Sequence, residues 1–210
     1  RGILTRPVQL TGRLPAILYG HSHGGRHDIG ADELLIGREY LLDPLGPAFA
    51  RAGYVTLVID MPVFGKRATV TEGAAAKALI WYGKSLFGQM VAEHGAALSY
   101  LASRPDVDPG RIGAFGISMG CSLSYWLAAV DERIAAAAHL CCLADSRTMI
   151  ELGAHGDAVL HAVAEVPQLL VLEQLGGGAF GQHGALADDV GAVADAQRLA
   201  HVVVGDQHAD

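Results

Sequence analysis

The sequence predicts an α/β protein in which a mostly parallel central sheet carries helices on both faces. Strand-like apolar runs alternate with helix-like runs along the chain, which is the pattern of such a sheet. The run YVTLVID at residues 54–60 is continuously apolar, as a strand covered on both faces requires. The 210 residues include 27 glycines, which suit tight turns, and no repeat or linker divides them. We therefore expect one domain over residues 1–210.

Six apolar runs are predicted to be strands. They cover residues 14–20, 54–60, 111–116, 133–142, 167–173 and 199–205. The alanine-rich run 133–142 also suits a helix, and we assign a strand because it follows a helix and an Asp-Glu-Arg turn. Residues 8–14, VQLTGRL, are expected to form part of an antiparallel hairpin ahead of the other strands.

Helices are predicted in the intervals between these strands. They cover residues 43–52, ending at Gly53; residues 83–103, ending before Pro105; a segment that starts at Met119; and residues 185–197. The aromatic side chains at positions 81, 82, 87, 125 and 126 are expected to pack between helices and sheet. The glycine-rich run 175–184 is expected to be a loop.

Charge and hydropathy argue against two classes of function. With 22 acidic and 15 basic residues the net charge is −7, and no run of Lys or Arg offers a basic patch for nucleic acid. No apolar run is long enough to span a membrane, and no secretory leader opens the chain. Cysteines number three, with Cys141 and Cys142 adjacent, and we expect buried thiols rather than a disulfide framework. We expect a cytoplasmic protein, with a start that has been trimmed because residue 1 is Arg.

The stretch RIGAFGISMGCSL, residues 111–123, places Ser118 at the joint between a strand-like and a helix-like run. In a nucleophile elbow the serine occupies a strained turn of this kind, and the residues two before and two after it must be small. Gly116 and Gly120 meet this demand. The helix start supplies positive potential, and the amide of Met119 would face an oxyanion. Ser118 is therefore the candidate nucleophile, the alternative being a tight structural turn.

A serine hydroxyl needs a base that takes its proton. In a parallel α/β sheet such a base comes from a loop at the carboxyl ends of the strands. His208 lies four residues after Val204, just past the last predicted strand, and is the candidate general base. His201 is the nearest rival, but it lies inside an apolar run and is expected to pack in the sheet. The alternative for His208 is a terminal histidine with no role.

With the elbow in place, several segments resemble the α/β-hydrolase superfamily, and specifically its dienelactone-hydrolase and acetyl-xylan-esterase-like branch. AILYGHSHGG (16–25) is similar to the strand and His-Gly loop that supply half of the oxyanion hole in that branch. AGYVTLVIDMPVFGKR (52–67) is similar to the next strand with its Asp-x-Pro-x-x-Gly turn. LASRPDVDPGRIGAFGISMG (101–120) is similar to the approach to the elbow. The resemblance extends over about residues 10–147.

This resemblance implies the hydrolysis of small carboxylic esters through an acyl-enzyme, without a cofactor. Ser118 would be the nucleophile and His208 the base. The backbone amides of Met119 and of His23 or Gly24 would form the oxyanion hole. The resemblance also places a small lid insertion at about residues 145–166.

The acid of the catalytic triad departs from the family pattern. In the family the acid follows the strand that is predicted here at residues 167–173. In this sequence Gly176 occupies the position nearest to where the family would have an aspartate. Glu173 is the nearest carboxylate at the end of that strand, and we favour it as the acid. Asp145 would serve if the acid had moved by one strand, although it could equally cap a helix that starts near Ser146.

Two other function classes stay open. The segment HSHGGRHD (21–28) contains His21, His23 and His27, and histidine is a common ligand of catalytic zinc, so a metal-dependent hydrolase is one alternative. The other is a hydrolase fold that has lost catalysis and only binds a ligand or partner. The altered acid loop and the short C-terminal end keep this second alternative open.

The end of the sequence predicts an exposed sheet edge. The chain ends two residues after His208, whereas the superfamily normally adds a helix that covers the last strand. We expect either a shortened C-terminus or a partner at that edge. Because an uncovered strand invites pairing, we hypothesise a homodimer.

Overall fold

The computed structural model describes residues 1–9 and 12–141, together with the backbone of residues 171–174. Its strands are β1 (Gly2–Thr5), β2 (Leu14–Gly20), β3 (Val55–Ile59), β4 (Val107–Ile117), β5 (Ile134–Leu140) and β6 (Val171–Gln174). They form one sheet in the order β1-β3-β2-β4-β5-β6. Strands β2 to β5 are parallel, and β1 and β6 pair antiparallel to β3 and β5 at the two ends of this order. The predicted fold class, a mostly parallel α/β sheet, is confirmed.

The described helices lie between these strands. They are α1 (Glu33–Ile36), α2 (Leu45–Arg51), α3 (Glu72–Trp81), α4 (Leu86–Ser103) and α5 (Met119–Val130). Helix α4 ends where the sequence predicts, because the residue before Pro105 must be extended, and Arg104 has φ −72° and ψ 139°. None of the described helices has both the length and the apolarity needed to cross a membrane.

Both faces of the sheet are covered by helices, because alternate side chains of each central strand enter different cores. On one face Ala16 and Leu18 of β2 belong to a buried cluster that includes Leu98 and Leu101 of α4. On the other face the neighbouring residues of β2 belong to a second buried cluster. Its members from β2, α1 and α2 are Ile17, Tyr19, Leu34, Leu45 and Phe49. This explains the continuous apolar runs of the central strands.

Several assignments made from the sequence are wrong. The antiparallel strand near the amino terminus is β1, which pairs with β3, and residues 8, 9, 12 and 13 are outside any strand. Strand β6 was expected in the parallel set but is antiparallel to β5. Helix α3 was not predicted, and Trp81 and Tyr82 at its end are 89% and 79% exposed rather than packed on the sheet. Cys121 forms a disulfide bond, contrary to the expected buried thiol.

Other predictions fall outside the described residues. They concern His208, Asp145, Gly176, Cys142, the lid at 145–166, the loop at 175–184, the helix at 185–197 and the strand at 199–205.

The backbones of β2, β4 and α5 meet in a contact that leaves no room for side chains. A Cβ atom on Gly120, in the first turn of α5, would lie 1.9 Å from the carbonyl oxygen of Gly20 at the end of β2. A Cβ atom on Gly116 would lie 2.0 Å from the carbonyl oxygen of Gly120. Backbone atoms cannot yield as a flexible side chain can, so glycine is required at both positions.

We expect Gly120→Ala to destabilise the protein by more than about 4 kcal/mol or to prevent folding, because its methyl group would overlap the backbone of β2. Gly95→Ala is the matched control, since Gly95 is also a helical glycine but has nothing within 4 Å of its Cβ position. The control should gain about 0.5–1 kcal/mol from its lower unfolded-state entropy. Urea unfolding of both variants measures the difference, and equal stabilities would contradict the proposed contact.

Candidate active site

Ser118 lies in a strained backbone conformation between β4 and α5. Its φ of 56° and ψ of −119° are rarely adopted by residues other than glycine. Its amide donates a hydrogen bond of 2.9 Å to the carbonyl of Leu140, the last residue of β5. The side chain is partly exposed, and although Ser118 precedes the helix, its hydroxyl does not cap it. The hydroxyl is therefore not used to stabilise the helix, as it would be in a capping turn.

The start of α5 provides an electropositive end beside Ser118. Met119 is the first residue of the helix, so its amide has no acceptor within the helix. The carbonyl of Ser118 already accepts from the amide of Ser122 at 3.1 Å, which begins the regular helical pattern. The amide of Met119 and the helix dipole favour negative charge at this position.

The loop after β2 is held by a buried carboxylate that the sequence analysis missed. Glu33 in α1 is fully buried and accepts hydrogen bonds from the hydroxyl of Tyr19, from the amide of Ser22 at 2.9 Å and from the hydroxyl of Ser22 at 2.6 Å. It also forms an ion pair with Arg38, whose side chain is 6% exposed. Burial, followed by the charge of Glu33, raises the pKa of Tyr19 well above its ordinary value, so its hydroxyl stays protonated and donates.

Arg38 also sets the direction of two peptide groups in this loop. Its guanidinium donates to the carbonyls of Ser22 and His23, each at 3.3 Å. In a trans peptide the N–H points opposite to the carbonyl. The amides of His23 and Gly24 therefore point away from Arg38. Because Gly20, just before this loop, touches Gly120, the loop starts beside the amino end of α5.

His21 is separated from the other two histidines of its segment. Its side chain is buried, Nε2 accepts from the amide of Met61 at 3.2 Å, and Nδ1 lies 3.1 Å from the carbonyl of Ser22. Desolvation by burial lowers the pKa of His21. Both ring nitrogens of His21 meet backbone groups, so His21 does not join His23 and His27 as the alternative of a metal-dependent hydrolase would require.

His23 and His27 instead meet Glu72, the first residue of α3. Nε2 of His23 lies 2.9 Å from a carboxylate oxygen of Glu72, and Nε2 of His27 lies 3.8 Å from the same oxygen. Sequence reasoning missed Glu72 because it missed α3. The signal available was Thr71 followed by an acidic residue, which is typical of a helix start, and Thr71 does cap α3 through Ala74.

The predicted site residues separate into two groups. Ser118 and Met119 follow the carboxyl end of β4, and the loop that contains His23 and Gly24 follows the carboxyl end of β2, the neighbouring parallel strand. Glu173 does not share this edge according to the backbone register. Because β6 is antiparallel, Glu173 pairs with Ala137, in the middle of β5, whereas Ser118 follows the residue that pairs with Leu140.

Comparison with known proteins identifies the family of this chain. The model of the dienelactone hydrolase family matches residues 42–167, which include the elbow. The chain belongs to the dienelactone hydrolase family. A relative from Bacillus subtilis (strain 168), named "Putative hydrolase YtaP", is 39% identical over 155 residues, or 72% of this chain and 52% of the relative. This dienelactone hydrolase family member thus spans about half the length of the curated relative it matches.

Solved structures share the fold of this dienelactone hydrolase family member. Acetyl xylan esterase 1 from Thermoanaerobacterium sp. JW/SL YS485 is 19% identical with a TM-score of 0.54, over 78% of this chain and 50% of that one. The acetyl xylan esterase from Paenibacillus sp. R4 is 23% identical with a TM-score of 0.50, over 77% of this chain and 50% of that one. At these identities the likeness establishes the fold, in agreement with the α/β-hydrolase architecture.

We expect Glu33→Ala to cost about 3–5 kcal/mol of unfolding free energy, because it leaves the buried guanidinium of Arg38 without its counter-charge. Asp28→Ala is the control, since Asp28 forms an ion pair with Arg26 that is exposed. Removing an exposed pair should cause no measurable loss. Denaturant unfolding of the two variants tests this, and a small effect of Glu33→Ala would show that the network does not hold the loop.

Proposed function

We propose that this protein is a serine hydrolase that cleaves small carboxylic esters through an acyl-enzyme intermediate. The observation that carries the proposal is the backbone of Ser118, held at a positive φ between two glycines that touch the neighbouring backbone. Such strain persists only where the surrounding structure over-determines it, and it is typical of a nucleophile elbow. Membership of the dienelactone hydrolase family supports the same reaction class.

In the proposed reaction the hydroxyl of Ser118 attacks the ester carbonyl while His208 takes its proton. The oxyanion would accept hydrogen bonds from the amide of Met119 and from that of His23 or Gly24. His208 then protonates the leaving alcohol, and water cleaves the acyl-enzyme in the reverse sequence of proton transfers. The position of Met119 at the start of α5 and the hydrogen bonds from Arg38 to the carbonyls of Ser22 and His23 support an oxyanion hole that is preorganised.

We propose small, uncharged or weakly polar acyl groups as substrates. An apolar cluster that includes Met61, Phe64 and Leu123 packs against Met119, directly after the proposed nucleophile. An apolar wall of this kind favours an uncharged acyl group because burying a charge there would be costly. The acetyl xylan esterases that share the fold act, by their names, on acetyl esters.

For the triad acid, the strand register favours Asp145 over Glu173. Asp145 follows β5 by five residues, and β5 ends beside Ser118. Five residues of extended chain reach at most about 17 Å, so the chain length after β5 is compatible with an acid at this edge of the sheet. Glu173 pairs with the middle of β5 instead. We therefore transfer the proposed role from Glu173 to Asp145.

We expect Ser118→Ala to lower the hydrolysis of p-nitrophenyl acetate by roughly 10⁴-fold or more, because the nucleophile is lost. Ser122→Ala is the matched control, since Ser122 lies one turn further along α5 and is also partly exposed. The control should retain activity. Peptide mapping after treatment with a fluorophosphonate probe should find the label on Ser118 and lose it only in Ser118→Ala.

Unchanged turnover in Ser118→Ala would overturn the proposal and favour a metal-dependent hydrolase. A folded wild-type protein with neither turnover nor labelling would favour the binding-only alternative.

We expect His208→Ala to lower the hydrolysis of p-nitrophenyl acetate by a factor similar to that of Ser118→Ala, because the base is lost. An undiminished rate would assign the base to another histidine.

We expect Asp145→Asn to lower kcat by about 10⁴-fold, because the imidazole would no longer be oriented or its cation stabilised. Glu173→Gln should leave kcat nearly unchanged and serves as the matched carboxylate control. Initial rates with p-nitrophenyl acetate, together with circular dichroism of both variants, measure the effect. The reverse pattern would restore Glu173 as the acid.

A further inference from the structure

The side chains of His23, His27 and Glu72 form a cluster that the proposed hydrolysis does not use, since only the backbone amide of His23 is a candidate for the oxyanion hole. The ligand atoms of the three side chains all lie within 4.8 Å of one another. Zinc holds histidine nitrogen and carboxylate oxygen at about 2.0–2.2 Å in tetrahedral geometry, which separates neighbouring ligand atoms by roughly 3.3 Å. The distances of 2.9 Å and 3.8 Å from the carboxylate of Glu72 to the two histidine nitrogens lie close to this separation.

Both imidazoles are held in place by contacts outside the cluster. The ring of His27 stacks on Phe64, with centroids 4.6 Å apart and an angle of 18° between the planes. The ring of His23 meets the same phenyl ring edge-on at 5.1 Å, and the two imidazoles lie 4.8 Å apart. The amide of Gly65 donates to the carbonyl of His27 at 2.7 Å, which fixes the backbone of the loop. Little side-chain entropy would therefore be lost on binding an ion.

The hydrogen bonds of the ring nitrogens decide which imidazole is ready to bind a metal. Nδ1 of His27 lies 3.1 Å from the carbonyl of Val63 and must donate to it, so Nε2 keeps its lone pair. Nδ1 of His23 accepts from the amide of Gly25 at 3.0 Å, so Nε2 of His23 carries the proton and donates it to Glu72. A metal ion would replace this proton, which would move to Nδ1 by exchange with water.

The amide of Gly25 is able to give up its bond to His23. Gly25 is exposed, so water can accept from its amide once Nδ1 of His23 no longer does. The cluster itself is reached from solvent, because the side chains of His23, His27 and Glu72 are 13%, 37% and 39% exposed. Water could complete the coordination from that side.

We propose that His23, His27 and Glu72 bind one divalent transition-metal ion of the zinc type, which joins the loop after β2 to the start of α3. Two imidazoles and one carboxylate favour such an ion over Mg²⁺ or Ca²⁺, which prefer oxygen ligands. The proposed site does not involve Ser118, so metal binding and ester hydrolysis can be tested separately.

The test is calorimetric titration of the chelator-treated protein with ZnCl₂. The wild type should bind one equivalent at this site, and His27→Ala and Glu72→Gln should weaken that binding by at least about tenfold, since even the loss of an outer-shell partner costs about 10–100-fold. Asp28→Asn is the control on the same loop, and Ser118→Ala is the control for catalysis. Both controls should bind zinc as the wild type does, whether or not Ser118 proves to be a nucleophile.

A second readout separates this site from zinc bound elsewhere on the surface. In ¹H–¹⁵N spectra of the imidazoles, zinc should convert His23 from the Nε2–H to the Nδ1–H tautomer, whereas His27 should keep Nδ1–H throughout. Unchanged affinity in both His27→Ala and Glu72→Gln, the absence of saturable binding in the wild type, or an unchanged tautomer of His23 would each overturn the proposal.

Discussion

The contact among Gly20, Gly116 and Gly120 is the constraint on which the candidate site depends. No side chain separates β2, β4 and the first turn of α5. The chain therefore turns from β4, which ends at Ile117, into α5, which begins at Met119, with only one residue between them. That residue is Ser118, and the reversal puts it at a positive φ. The same contact brings the loop after β2 beside the amino end of the helix. One packing requirement therefore places Ser118 and the start of the loop after β2 at the same edge of the sheet.

Buried carboxylates then hold the loops at this edge of the sheet. Glu33 binds the loop after β2 and pairs with Arg38. Asp60, which follows β3 and is buried, accepts from the amides of Ala31 and Lys66 at 2.8 Å and 3.1 Å. Burying these charges is costly unless every acceptor is satisfied, so each carboxylate restricts its loop to one conformation. The segments that surround Ser118 are thus fixed by electrostatics, while the sheet beneath them is fixed by apolar packing.

The sequence predicts the parts of this arrangement that depend on local pattern. Strands β2 to β5, α2, α4 and α5 follow from apolar runs and helix signals, and Ser118 follows from the spacing of its glycines. The Asp-x-Pro-x-x-Gly turn also has a local cause, because a Cβ on Gly65 would lie 2.1 Å from the carboxylate of Asp60. The direction of β6 and the presence of α3 could not be predicted, because they depend on contacts with residues far away in the sequence. Strand β6 has the same composition whichever way it runs, and α3 was missed because none of its residues is buried, which leaves no amphipathic pattern.

The spacing of His21, His23 and His27 in the sequence does not distinguish their roles either. Those roles depend on the hydrogen-bond partner of each ring nitrogen. The loop that contains them is anchored twice, by Glu33 and Arg38 at its first residues and by Phe64 and Gly65 at its last. His21 faces the backbone on both sides and acts as part of the core. His23 and His27 lie beyond it, where the positive φ of Gly24 and Gly25 turns the chain toward α3. The two halves of one loop therefore have different partners: the carbonyls of Ser22 and His23 accept from Arg38, and the side chains of His23 and His27 converge on Glu72.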